Sequence, residues 1–140
     1  MEDISIIIEK LRKANLTISV AESCTGGRIA SNIVSFDGAS EFFLGGVVTY
    51  STHSKIRILN IDKKRIELYG VVSPEIAKDM SNAVKDLFVS DISISITGNV
   101  GSKSGDGLSA VGQVFISINF RSNNTSYFTS KISITSTICN

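Results

Sequence analysis

Ile4, Ile7, Ile8 and Leu11 recur at three- and four-residue intervals, which predicts an amphipathic helix from Ile4 to Ala14 with one face on a core. Asn15 and Leu16 turn the chain into Thr17 to Ala21, whose mostly β-branched and small residues read as a buried strand. Helical spacing returns from Thr25 to Val34, with Ile29, Ile33 and Val34 on the apolar face, and Asp37-Gly38 marks the next turn. Phe42 to Tyr50 is aromatic and β-branched but is interrupted by Gly45-Gly46, predicting a strand that bends or admits a close neighbour. A short helix is expected over Ser54 to Leu59. Ser73-Pro74-Glu75 then combines a hydroxyl cap, a proline at the first helical position and an acid in the first turn. The helix it starts should bury Ile76, Met80, Ala83, Val84 and Leu87.

From Asp91 the period changes to two. Ile92, Ile94 and Ile96 alternate with Ser93 and Ser95, and Val114, Ile116, Ile118 and Phe120 alternate with smaller or polar neighbours. Both runs read as strands, and an Asn123-Asn124 turn leads to a last strand from Ser126 to Ile134. Helices alternating with strands early and strands clustered late indicate an α/β fold, a single-domain α/β/α sandwich with a mixed sheet. A length of 140 residues suits one domain spanning 1–140.

Charge narrows the function. Fourteen basic against thirteen acidic residues, with no Lys/Arg run, exclude the basic footprint of a nucleic-acid binder. No apolar stretch approaches membrane-spanning length, and the acidic start Met1-Glu2-Asp3 does not open a signal peptide. Two cysteines, Cys24 and Cys139, fit a reduced, cytoplasmic setting better than a disulfide framework. With His53 the sole histidine, neither a metal site nor a cofactor is expected.

The segment Ala21-Glu22-Ser23-Cys24-Thr25-Gly26-Gly27 carries the densest chemistry, because it places hydroxyls and a thiol where a strand ends and a helix begins. The first turn of a helix leaves main-chain N–H groups free to hold an anion or a developing oxyanion. Ser23 is the leading candidate nucleophile, with Thr25 and Cys24 as competitors, although an ordinary helix N-cap explains the same residues. A second glycine-rich segment, Thr97-Gly98-Asn99-Val100-Gly101 continuing through Gly105 and Gly107, can hold a phosphate or be a plain interstrand loop.

The words AESCTGG, VVTYSTHSK, GVVSPEIAKDM, SITGNVG and AVGQVFISI resemble, in order and spacing from Ile4 to Ile118, the C-terminal domain of the CinA family. Members of that family are known as nicotinamide-nucleotide amidases. The resemblance implies hydrolysis of a mononucleotide carboxamide, with Ser23 as nucleophile and Tyr50 and Lys55 as its proton-transfer partners. A lysine can serve as a base near neutrality only if burial or a nearby cation lowers its pKa. Without the resemblance, Lys55 is a solvated charge, Tyr50 a half-buried strand aromatic and His53 an exposed loop residue. Glu22 can orient a ribose hydroxyl or the lysine, or cap local backbone donors. Thr25, Gly26, Gly27, Thr97 and Gly98 are the other expected substrate contacts, the last two by resemblance.

The chain also departs from the family pattern. Relatives read like TGIAGPGGG with a lysine and proline before VG, whereas Asn99, Val100, Ser102, Lys103 and Ser104 stand here, with Ser109-Ala110 before Val111-Gly112. Lys103 is a candidate replacement for the missing charge. The chain stops at Asn140 where relatives continue into a final helix, so one sheet face is expected to be bare unless a second subunit in a homo-oligomer covers it. These departures keep a non-catalytic nucleotide- or partner-binding domain open as the alternative.

Overall fold

The computed structural model describes residues 4–105 and 107–120, and the backbone of 127–133. The alternating elements fold as the periodicity requires: α1 (Ile4–Lys13), β1 (Ile18–Glu22), α2 (Arg28–Val34), β2 (Phe43–Val48), α3 (Thr52–Leu59), α4 (Lys63–Tyr69), α5 (Pro74–Phe88), β3 (Ile92–Gly98), β4 (Gln113–Phe120) and β5 (Tyr127–Ser133). The five strands form one mixed sheet in the order β2-β1-β3-β4-β5. The first three are parallel and the last two join antiparallel. The Asn123-Asn124 turn and everything after Ser133 lie outside the described residues.

Helices cover both faces, making an α/β/α sandwich. On one face Ile8 and Leu11 of α1 and Ile33 of α2 pack on Ile18, Val20 and Ile92. On the other, Ile76, Met80 and Val84 of α5 join Leu59, Ile61 and Ile66 from the α3–α4 region over Ala21. Among the described residues no helix is long and apolar enough to cross a membrane. The face bearing α1 and α2 carries β4 residues Ile116 and Ile118, half-buried, and Phe120, which is exposed.

The alternation in β3 separates two packed surfaces rather than a core from solvent. Ser93 and Ser95 are fully buried. Their hydroxyls donate to the Ser81 and Ala77 carbonyls of α5 at 2.6 and 2.5 Å. Ser19 Oγ donates to the Val84 carbonyl at 3.3 Å, and the Ser81 and Ser117 hydroxyls meet at 3.0 Å. Small hydroxyls thus let α5 lie close to the sheet while each of these serine O–H groups keeps a partner.

Several expectations are corrected. Leu87 is 52 % exposed and Ala83 only partly buried, because α5 turns Ala77, Ser81, Val84 and Lys85 inward over the serines. Val34 is 56 % exposed, and α2 begins at Arg28, since Gly26 and Gly27 both take left-handed φ values of 59° and 99°. α4 was not anticipated, although its signals are present. Asp62 caps the Lys64 N–H, Gly70 follows the last turn, and Arg65 grips Asp79 of α5 through two hydrogen bonds of 2.6 and 3.0 Å.

The Gly45-Gly46 expectation holds in both of its forms. The β1–β2 register skips Leu44, pairing Ile18 with Phe43 but Ser19 with Gly45, so a bulge reverses which face each later residue joins. Gly45 takes φ 143°, and a Cβ there would sit 2.5 Å from the Phe88 ring. Gly45→Ala should therefore cost about 2–3 kcal/mol in urea unfolding. Gly101→Ala, where the nearest atom lies at 3.8 Å, serves as a near-neutral control.

Candidate active site

The carboxyl ends of β1, β2 and β3 point the same way, and the residues just beyond them converge, as ligand-binding residues do in open α/β sheets. Ser23 follows β1, held by its N–H to the Ile96 carbonyl at 3.1 Å. Thr49 and Tyr50 follow β2, and Ser51 starts α3 through a reciprocal capping box with Ser54. That cap fixes the helix so that Lys55, one turn in, runs back beneath the strand ends.

Lys55 is 2 % exposed. Its Nζ lies 2.9 Å from Ser23 Oγ, 2.7 Å from the Thr49 carbonyl and 3.3 Å from the Tyr50 carbonyl. Burial pushes its pKa down from 10.5 to about 8, with the Cys24 thiol opposing the shift. A neutral amine in this position can donate its two hydrogens to the carbonyls and turn its lone pair to the serine O–H. The condition for a lysine base is met by geometry and desolvation together.

Burial raises the Cys24 pKa, which keeps that neighbour a thiol and weakens it as a nucleophile. Thr25 donates its hydroxyl to Glu22 at 2.6 Å and is committed elsewhere. Of the three competitors, Ser23 is the one whose hydroxyl meets the Lys55 amine.

Glu22 points to the opposite face of the sheet from Ser23. It is 1 % exposed and accepts from the N–H groups of Gly27, Ile29 and Ala30 at 3.1, 3.1 and 2.8 Å besides the Thr25 hydroxyl. The carboxylate occupies the start of α2 as a built-in anion, the capping alternative. The expected oxyanion donors are corrected accordingly. Gly27 N–H serves Glu22 and Gly26 N–H serves the Ser23 carbonyl, so neither is free to meet an oxyanion.

A recess of about 360 Å³ opens over Ser23, lined also by Cys24, Tyr50, Thr97, Gly98 and Lys103. A larger groove of about 540 Å³ between the α3–α4 connection and α5 contains no comparable nucleophile and base. Gly98 lines the recess where no side chain fits, since a Cβ there would approach Val114, the Gln113 carbonyl and Cys24 Sγ at 2.8, 2.9 and 3.2 Å. The Thr97 hydroxyl is spent on the Val71 carbonyl at 2.8 Å. Tyr50 reaches Lys55 through its main-chain carbonyl, while its side chain stands at the mouth and the residue is 73 % exposed, contrary to a half-buried strand aromatic. His53 is exposed and outside the recess lining.

Asn99 was missed as an organising residue. It is 6 % exposed, accepts from the Gly105 N–H at 3.1 Å and donates to the Ser104 hydroxyl, the Ser109 carbonyl and the Ser109 hydroxyl. The available signal was a lone Asn in a stretch rich in Gly and Ser.

The CinA C-terminal domain model matches residues 2–137. The chain belongs to the CinA C-terminal domain family. A CinA-like protein of Flavobacterium psychrophilum is 42 % identical over 118 residues, 84 % of this chain and 28 % of that protein. Another, from Petrotoga mobilis, is 42 % identical over 109 residues, 78 % of this chain and 27 % of its own length. The chain thus spans under a third of these curated relatives. The crystal structure of a competence-damaged protein (CinA) superfamily protein from Escherichia coli superposes with TM-score 0.88 at 27 % identity, covering 94 % of this chain and 75 % of that one. A competence or damage-inducible protein from Enterobacter asburiae gives 0.88 at 30 % identity, covering 94 % and 81 %.

If the Glu22 clamp forms the start of α2, Glu22→Ala should cost about 3 kcal/mol in denaturant unfolding, because three main-chain donors and a hydroxyl lose a charged acceptor. Hydrogen exchange should show the Ile29 and Ala30 amides losing protection, with Glu22→Gln intermediate.

Proposed function

We propose that this CinA-family domain is a serine amidase that hydrolyses nicotinamide mononucleotide to nicotinic acid mononucleotide and ammonia. The observation that carries the reading is the buried contact of 2.9 Å between Lys55 Nζ and Ser23 Oγ, with the lysine pKa depressed to about 8. Family membership supports the substrate class, and the recess is large enough for a nucleotide's carboxamide end.

In this mechanism neutral Lys55 takes the Ser23 proton as Oγ attacks the carboxamide carbon. The tetrahedral oxyanion develops in the recess over Ser23. The resulting Lys55 ammonium returns its proton to the leaving nitrogen, releasing ammonia and an acyl-serine. Water, deprotonated by the same amine, then frees the acid and restores Ser23. Tyr50 acts at the open side of the recess as a second proton-transfer group.

Ammonia release provides the test. Ser23→Ala and Lys55→Met should each lower kcat/KM by about a thousandfold or more, and Lys55→Arg should not restore it, because guanidinium stays protonated. Equal rates in wild type and Ser23→Ala would remove the serine from the mechanism. The Asn99-centred loop departs from the family pattern and favours the second reading, a binding module; mononucleotide binding by calorimetry without ammonia release would establish that instead.

The active form carries Lys55 unprotonated, so kcat/KM should rise about tenfold per pH unit below pH 8 and level off above it. A rate independent of pH between 6 and 9 would contradict a lysine base.

A further inference from the structure

We infer that the Thr49 hydroxyl is a positioning group for the proposed base, a reorientable dipole that turns with Lys55 as its amine gains and loses a proton. The inference deepens the amidase reading and rests on it for the course of that proton.

Thr49 is 0 % exposed, and its Oγ1 has no hydrogen-bond partner among the described residues. The buried serine hydroxyls beneath α5 are all paired, so this orphan belongs to a different class of group. A buried polar atom left unpaired in a native fold calls for a reason.

The main chain of Thr49 sets it beside the base. Its N–H donates to the Glu22 carbonyl at 2.8 Å, which makes it the lateral neighbour of Ser23 where β2 ends. Its own carbonyl accepts from Lys55 Nζ at 2.7 Å. Val48, the preceding residue, lies on the α2 side, where a Cβ on Gly27 would come within 3.6 Å of its Cγ2. Strand alternation turns Thr49 the other way, to the side of Ser23 and Lys55. Thr49 is absent from the recess lining, so its hydroxyl acts on a ligand only through Lys55.

A hydroxyl carries one donor hydrogen and two acceptor lone pairs, and it rotates to suit its surroundings. With no partner to fix it, the Thr49 O–H is free to swing its oxygen toward an ammonium and away from a neutral amine. The charged form gains more from this dipole than the neutral one. In the proposed reaction the proton passes from Ser23 Oγ to Lys55 Nζ and on to the leaving nitrogen, while Thr49 keeps its own hydrogen throughout. Among the described residues, the Cys24 thiol of the β1 end is the one titratable group whose charge acts on Lys55. Glu22 faces the other side of the sheet, the Tyr50 side chain stands at the mouth, and His53 and Arg57 of α3 are exposed. Glu75, in the first turn of α5, adds no charge interaction to the amine.

NMR titration of protein carrying isotope-labelled lysine follows the Lys55 proton whether or not the domain turns over, its signal being identified by its loss in Lys55→Met. Thr49→Val and Thr49→Ala should each lower the Lys55 midpoint by about half a pH unit or more, and Thr49→Ser should retain the wild-type value. The pH at which kcat/KM levels off should move with the midpoint. An unchanged midpoint in whichever of Thr49→Val and Thr49→Ala folds, or an equal fall in Thr49→Ser, would overturn the assignment. Ammonia measured in the same samples keeps the two readings apart. A hydroxyl-dependent midpoint with no ammonia from wild type removes the amidase and leaves the coupling of Thr49 to Lys55 standing, whereas ammonia with an unmoved midpoint removes the role of Thr49 alone.

Discussion

Removing one ammonium group from water is the constraint around which this domain is arranged. Lys55 is buried with two main-chain carbonyls and a serine hydroxyl as partners, and among the described residues no carboxylate hydrogen-bonds it. A carboxylate there would stabilise the cation and restore an ordinary lysine pKa. The depression from 10.5 to about 8 corresponds to about 3 kcal/mol of folding free energy forgone. The sign follows from proton counting. Below pH 8 folded and unfolded chains both hold the proton, so the burial penalty is present in full. Between about 8 and 10.5 the unfolded chain holds more protons, and stability rises with pH. In the proposed mechanism that stability is spent to keep a base ready.

Strand geometry keeps the acid away from that base. Glu22 and Ser23 are adjacent, and the two-residue period of an extended chain sends them to opposite faces of the sheet. Glu22 closes the start of α2 on one side, while Ser23 meets Lys55 on the other. The same carboxylate that stabilises the helix is thereby prevented from neutralising the lysine. The two consecutive left-handed glycines, Gly26 and Gly27, allow the chain to fold back over Glu22 tightly enough to complete the clamp.

The opposite helix layer shows how a polar strand face can be a core. Ser19, Ser93, Ser95 and Ser117 lie beneath α5 with no exposure, each paired to a helix carbonyl or another hydroxyl. Their small volume brings α5 close to the sheet and fixes the position of Val71 and Val72 at its start, which line the recess. Thr97 completes the link by bonding the Val71 carbonyl. The site and the helix layer therefore share one set of short hydrogen bonds.

The sequence by itself determined the elements and the chemical vocabulary. Isoleucine spacing set α1, the Ser-Pro-Glu word set α5, the period of two set β3 and β4, and the family words singled out Ser23 and Lys55. Local rules act over a few residues, and these features are local. Tertiary structure alone decided the rest: that Leu87 faces outward, that the serines are buried, that Glu22 is a cap and that Gly26 and Gly27 spend their N–H groups internally. It also decided that residues 23 and 55 meet at 2.9 Å in a place dry enough to change a lysine's pKa. Burial is a property of everything that surrounds a side chain, and that surrounding is assembled from segments distant along the chain.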